Sequence, residues 1–275
     1  MIKKVLHLAD LHIPNNCDNR PYEEMLKSFL TELHHNEIEG FDPETVRIVI
    51  VGDIFENKIR TSNEARGMFH KFLNICNLLC PTYLVAGNHD MLDNNHDRVD
   101  SIAPTFDIEG VGYDNVHYLD KECDYKSGYL VDDNVVWNLL SRYSDFSPTN
   151  IARDQFPDKR IIGLYHGDIV GSVTDTGRMS ESGIDPQLFT ECDCVMAGHI
   201  HKFQEIKRNG VPFVYSGSVF QQNAGENVTG HGYVVWNLED MTYRHVDVEN
   251  KYRTFKFKVT SYDDFNNDVE ELINL

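Results

Sequence analysis

The sequence predicts an α/β protein with a largely parallel sheet covered by helices. Short apolar runs recur along the chain: "KVLHLAD" (4–10), "VRIVIVGD" (46–53), "TYLVAGN" (82–88), "KRIIGLYHGD" (159–168) and "CVMAGH" (194–199). They are the length of buried strands and rich in β-branched residues. The first three alternate with helical patterns, giving a βαβαβ series. Polar and titratable residues sit at the carboxyl end of each run, where α/β sheets place their sites.

The elements follow in order. After the first strand, "RPYEEMLKSFLTELHH" (20–35) carries Tyr22, Met25, Leu26, Phe29, Leu30 and Leu33 at helical spacing. "TSNEARGMFHKFLNICNLL" (61–79) is a second amphipathic helix with Thr61 or Ser62 as its N-cap. "NVHYLD" and "GYLVDDNVVWNLL" predict short strands, and "SPTNIARDQF" (147–156) predicts a helix with Pro148 at its first position. "DPQLF" (185–189) opens a short helix between the fourth and fifth buried strands. Asn209-Gly210 marks a hairpin. "GYVVWNLE" and "TYRHVDVE" form a further strand pair, and "KYRTFKFKVTSYDDFNNDVEELINL" (251–275) reads as a basic strand followed by an acidic helix. Residues 1–250 are expected to form the main domain, with 251–275 an extension that could begin a capping domain.

Composition narrows the class. The 275 residues are 41% hydrophobic, enough for a sizeable core. No apolar run spans a bilayer and "MIKK" leads straight into a strand, so a cytoplasmic, membrane-free protein is expected. The six cysteines lack structural-zinc spacing and are expected to be free thiols, mostly buried. A net charge of −19 argues against broad attraction to nucleic acid, but leaves room for binding through cations, a local patch or a partner.

The strand ends carry the chemistry. They present Asp10 and His12, Asp53, Asn88 with His89 and Asp90, His166, and His199 with His201. On one edge of a doubly wound sheet these would converge. A lone histidine at a strand end is most often structural. So many together would be a costly desolvated cluster unless cations neutralise it. Imidazole and carboxylate ligands without cysteine suit Mn, Fe or Zn. The number of donors is enough for two ions sharing a carboxylate, an arrangement that serves phosphoryl transfer.

"DLH", "GD", "GNHD", "HGD" and "GHIH", in this order, resemble the five motifs of the calcineurin-like metallophosphoesterases. "LHLADLH", "VGDIFENKIRTS" and "GHIHKFQEIKRNGVPFVYSGSVFQ" are similar to one branch, the nuclease subunit of the SbcC–SbcD type of DNA double-strand-break repair complex, phage recombination nucleases included. The resemblance implies a four-layer α/β/β/α sandwich of two mixed sheets flanked by helices. It implies that Asp10, His12 and His201 hold one metal, that Asn88, His166 and His199 hold the other, and that Asp53 bridges them. The metal usual in that branch is Mn2+. His89 would not be a ligand but would stand beside the scissile phosphate, stabilising charge or protonating the leaving oxygen. Where many relatives carry Asp or His three residues after the bridging Asp, this chain has Glu56, whose carboxylate could orient His89.

The resemblance also implies a DNA exonuclease and single-strand endonuclease working with an SbcC-type ATPase. A homodimer is implied, with "ARGMFHKFLNICNLL" and "RVDSIAPTF" as its face. Asn57, Lys58, Arg60 and Ser62 follow the bridging Asp and are candidate phosphate contacts. "KYRTFKFK" (251–258) is equally a nucleic-acid or partner surface and a Lys-guarded edge strand. Tyr215 and Ser216 fit a structural role in the site wall. The motifs alone also suit a phosphoesterase of small-molecule or protein substrates, and a noncatalytic scaffold is disfavoured by the intact Asp53, Asn88 and His89. Gly87 is expected to let the backbone bend, and Asp90 to structure the turn.

Overall fold

Two six-stranded mixed sheets face each other. The computed structural model describes residues 1–15, 19–107, 112–174 and 176–256. In the first sheet β1 (Lys4–Leu8), β2 (Val46–Val51), β3 (Thr82–Val85) and β4 (Val116–Tyr118) run parallel. β11 (Gly232–Asn237) and β12 (Thr242–Asp247) add antiparallel strands beyond β1. The second sheet has the order β5 (Gly128–Asp132), β6 (Val135–Leu140), β7 (Arg160–His166), β8 (Cys194–Gly198), β10 (Val211–Tyr215), β9 (Gln204–Arg208). β6, β7, β8 and β10 are parallel within it.

The two mixed sheets that the resemblance implies are present, and the single doubly wound edge expected from the strand ends alone is two edges, one from each sheet. The reason lies in the burial pattern. β2, β6 and β8 are buried at every residue, which requires cover on both faces. The inner faces supply it to each other: Val5, Val49, Val51 and Val85 meet Trp137, Leu139, Ile162, Leu164 and Met196.

Outside the first sheet lie α1 (Arg20–Leu33) and α2 (Asn63–Leu79). α1 buries Tyr22, Leu26, Phe29, Leu30 and Leu33, and α2 buries Met68, Phe69, Phe72 and Leu73, over Leu6, Leu8, Ile48 and Ile50. Each such side chain contributes about 1.5–3 kcal/mol, so packing rather than helix propensity holds these elements. Ser62 caps α2, its hydroxyl accepting from the Ala65 N–H at 3.1 Å. α1 passes into a π turn over His34–Ile38. The outer face of the second sheet is covered by 3-10 turns, with Phe189 and Ile151 filling its core.

The helix expected over 147–156 does not form; only a 3-10 turn at Arg153–Gln155 appears. Tertiary partners hold the segment open. Thr149 donates to the Asn138 side chain at 2.6 Å, Ile151 is buried, and Arg153 reaches Asp193 at 2.8 Å. The hairpin at Asn209-Gly210 does form, with φ of 50° and 86° at the two residues, as a type I′ turn requires. Among the described residues the cysteines are free thiols, Cys76, Cys80, Cys192 and Cys194 buried and Cys123 half-buried. No helix there is long and apolar enough to cross a membrane. The basic strand expected from residue 251 shows no regular structure over 251–256, and the rest of that segment lies outside the described residues.

Candidate metal centre

The carboxyl ends of β1, β2 and β3 meet those of β7 and β8, and all seven expected ligands come together there. Ligand atoms of Asp10, His12 and His201 lie within 4.8 Å of one another, and so do those of Asp53, His166 and His199. Asn88 joins the second group, with Oδ1 2.7 Å from His199 Nδ1 and 3.2 Å from His166 Nε2. Asp53 stands between the groups, one oxygen 3.5 Å from His12 Nε2 and the other 3.3 Å from His166 Nε2. That is the placement a bridging carboxylate needs.

The backbone is bent to make this possible. Asp10, His12, Asp53 and His199 have φ of 53°, 46°, 51° and 97°, a region that non-glycine residues seldom adopt. Such strain persists where surrounding structure over-determines it, commonly at sites. Gly87 is required for close approach rather than for bending. A Cβ there would lie 2.1 Å from Asp53 Oδ1, and its φ is not among the positive ones. Asp90 does structure the turn: buried, it accepts from the N–H groups of Ile54, Phe55 and Gly87.

The donor set fits cations. His166 Nδ1 lies 2.7 Å from the Val51 carbonyl, so it carries the proton. Its Nε2 lone pair then faces oxygens of Asp53 and Asn88, an acceptor set against acceptors. Only a proton or a metal ion resolves that. Without a metal a proton must. Burial alone would lower the His166 pKa, but the Asp53 charge and hydrogen bond raise it to about 9. Likewise His201 Nδ1 bonds Glu226 at 2.8 Å, which turns its Nε2 lone pair toward His12 Nε2 at 3.0 Å. Burial pushes His12 down to about 3 and so keeps it neutral, as a ligand must be. Burial also raises the Asp10 carboxyl, against the pull of His166 and His201, a penalty that a bound cation would remove. At Asp53 burial is outweighed by His166, which holds that carboxyl well below the usual range.

His89 sits at the mouth of the cluster. Its N–H donates to Asp53 Oδ1 at 2.8 Å, and its ring lies 4.8 Å from that of His12. Its Nδ1 is 2.6 Å from the backbone carbonyl of Glu56. This corrects the expected role of Glu56, whose carboxylate turns away and accepts from the Asn15 N–H at 2.9 Å. A carbonyl at a strand-end loop is fixed by the backbone, which a longer flexible side chain cannot match.

The candidate phosphate contacts are more ordinary. Asn57 Oδ1 accepts from the N–H groups of Ile59 and Arg60, shaping the loop, and Ser62 is engaged as the α2 cap. Lys58 is half-buried and Arg60 exposed. Tyr215 donates to the Gly167 carbonyl at 2.8 Å and braces the loop after His166, a structural role. Ser216 is buried and bonds locally to the Gly217 carbonyl.

Two supporting carboxylates escaped the sequence. Glu226 is buried and bonds His201, and Asp168 Oδ2 lies 3.7 Å from His199 Nε2. Carboxylates behind metal-binding histidines fix the tautomer and ring orientation. Asp168 stands in "HGD", where position pointed to it. Glu226 lies in a loop with no motif and gave no signal.

Paired nitrogen and oxygen donor groups about a shared carboxylate suit two divalent cations. The calcineurin-like phosphoesterase family matches residues 3–203, and the chain belongs to that family, whose members use divalent metals. It is 31% identical over 259 residues to an uncharacterised protein of Acanthamoeba polyphaga mimivirus. That match covers 91% of this chain and 18% of the relative, so the chain spans under a fifth of that protein's length. It is 25% identical to the SbcD nuclease component of SbcCD from Staphylococcus epidermidis, covering 94% of this chain and 79% of the relative. Solved structures with a similar chain path include an archaeal phosphodiesterase (11% identity, TM-score 0.44, 89% of this chain and 99% of that one). The inner-membrane-complex anchor of Plasmodium is another (13% identity, TM-score 0.49, 98% and 94%).

Proposed function

We propose that this chain is a DNA phosphodiesterase of the SbcD kind, an exonuclease on ends and an endonuclease on single strands. The observation that carries this is the likeness to the staphylococcal SbcCD nuclease component, which extends over 94% of the chain, well beyond the family's own motifs. Asp10, His12, His201 and Asp53 would hold one divalent cation, and Asp53, Asn88, His166 and His199 the other, with Mn2+ as the proposed metal. Such a pair supplies charge neutralisation at phosphate oxygens and an activated water near neutral pH.

The chain's own residues do the rest. Asp53 fixes the spacing of the two ligand groups from a strained, buried position. Glu56 O fixes the ring of His89 through Nδ1, so Nε2 is the nitrogen left to face substrate. To protonate the leaving sugar oxygen, His89 acts as the imidazolium, both nitrogens carrying protons. The acidic surface is consistent with DNA affinity supplied partly by cations and by an SbcC-type ATPase. The exposed Leu78 on α2 and Val99 in the loop after the site are candidates for a homodimer face.

The test is purified protein with Mn2+ on single-stranded circular DNA, end-labelled duplex and p-nitrophenyl phosphate. Cleavage of either DNA supports the reading. Ester turnover without DNA cleavage, even with the ATPase partner present, overturns it in favour of a small-molecule or protein phosphoesterase.

A further inference from the structure

One cation is built against the rim of this site without belonging to the ligand set. Arg142 follows β6, on a 3-10 turn capped by Ser141, whose hydroxyl accepts from the Tyr143 N–H and donates to the buried Asp120. Tyr143 is tied to the buried Asp100. The guanidinium is therefore mounted on a locked turn. Its Nη1 donates to the carbonyl of His166 at 3.0 Å, and Nη2 and Nε both donate to Asp93 Oδ1, at 2.6 and 3.2 Å. Its charge reaches Asp168, whose carboxyl is held below the usual range by His199 first and by Arg142 in smaller part. The Arg142 side chain is only 14% exposed, whereas Asp93 is 50% exposed.

The asymmetry matters. A half-exposed aspartate on a loop is the more easily displaced partner, because water competes for its oxygens while the guanidinium stays largely sheltered. A phosphate diester offers the same acceptor chemistry, two anionic oxygens, and arginine can bind both with the Nε and Nη2 donors that here share Asp93 Oδ1. Asp93 lies in "GNHDMLDN", five residues beyond Asn88, so the loop carrying a metal-ligand candidate also carries the competitor for Arg142.

We propose that Arg142 binds a phosphate of the substrate next to the one being cut, and that Asp93 occupies this position until substrate displaces it. The inference rests on the phosphodiesterase reading above and deepens it. A second phosphate subsite selects polynucleotides over esters with a single phosphorus. Arg142 acts here as a substrate contact, and Asp93 as its intramolecular stand-in.

The experiment compares kcat/KM for a short single-stranded oligonucleotide with that for bis(p-nitrophenyl) phosphate, for wild type, Arg142→Ala, Arg142→Lys and Asp93→Asn. A charge-assisted contact predicts that the oligonucleotide-to-ester ratio falls about 10- to 100-fold in Arg142→Ala. Arg142→Lys should fall between, because it keeps charge but loses the fork. Asp93→Asn should lower KM for the oligonucleotide. Anisotropy of labelled single strands with Ca2+ should show a salt slope smaller by about 0.7 in Arg142→Ala. Equal losses on both substrates would make Arg142 a brace for His166 and overturn the proposal. So would an unchanged ratio. A wild type that hydrolyses the ester but neither binds nor cuts DNA defeats the nuclease reading itself, and the second subsite with it.

Discussion

Removing the charge at Glu226 should weaken one metal position and spare the other. Its Oε1 accepts from His201 Nδ1 at 2.8 Å and from Asn223 Nδ2 at 2.6 Å, and its Oε2 from the Gln222 N–H at 2.7 Å. Glu226→Gln keeps one oxygen and puts an amide NH2 in place of the other. If the oxygen faces His201, the NH2 confronts the Gln222 N–H, donor against donor. If it is reversed, His201 loses its acceptor. The first orientation orphans one donor and the second orphans two, those of His201 and Asn223, and each buried donor left unpaired costs about 1–3 kcal/mol of stability. The His201 tautomer also becomes less fixed. Loss of such a supporting carboxylate typically costs about 10- to 100-fold in metal affinity, and the surviving amide oxygen places Glu226→Gln near tenfold. Mn2+ titration followed by electron paramagnetic resonance resolves two affinities. The weakening should fall on the Asp10–His12–His201 position alone. If both affinities fall together, or if only thermal stability falls, the positioning role of Glu226 is refuted.

Three further outcomes follow from the geometry. Gly87→Ala places a Cβ 2.1 Å from Asp53 Oδ1 and 2.3 Å from Asp53 N, so it should displace the shared carboxylate and lower Mn2+ stoichiometry, at about 1–3 kcal/mol of stability; equilibrium dialysis checks this. Glu56→Gln should change kcat by less than about threefold, under about 0.7 kcal/mol in the barrier, because the backbone carbonyl and not the carboxylate orients His89; steady-state kinetics at fixed Mn2+ decides. His7 is buried on the inner face of β1, and burial lowers its pKa to about 3. Neither ring nitrogen makes a hydrogen bond of ordinary geometry, and the nearby Ala197 backbone offsets burial only in part. A base whose folded pKa lies below its unfolded one keeps full stability above about pH 6.5 and loses it progressively toward pH 3. At pH 5 that is about 2 kcal/mol. The metal-free His7→Leu protein should lack this component, as read from denaturant midpoints at pH 7.5 and 5.

Much of this was legible in sequence because it rests on local pattern. The alternation of buried strands and amphipathic helices up to Val85 forms as the periodicity predicts, and the strand-end ligands converge because each follows a strand that must point its carboxyl end the same way. Asn209-Gly210 encodes its turn in two residues. What depended on tertiary partners was not legible. The segment 147–156 has a helical start, but Asn138, Asp193 and the core around Ile151 claim it. That β7 and β8 belong to a second sheet came from the motif resemblance, because no single apolar run reveals how two buried faces find each other. The orientation of His89 by a carbonyl is invisible when only side chains are read. Glu226 reaches His201 across a loop whose sequence carries no motif.

Everything proposed for catalysis turns on Asp53 coupling two cations to cleavage of DNA. The decisive assay is nicking of single-stranded circular DNA by wild type and Asp53→Asn, with bound Mn2+ counted in the same samples. Wild type should carry two Mn2+ per chain and nick the circles, whereas Asp53→Asn should carry fewer than two and leave them intact. Two bound Mn2+ in wild type with no DNA cleavage, or full nicking by Asp53→Asn, would show that the coupling does not exist.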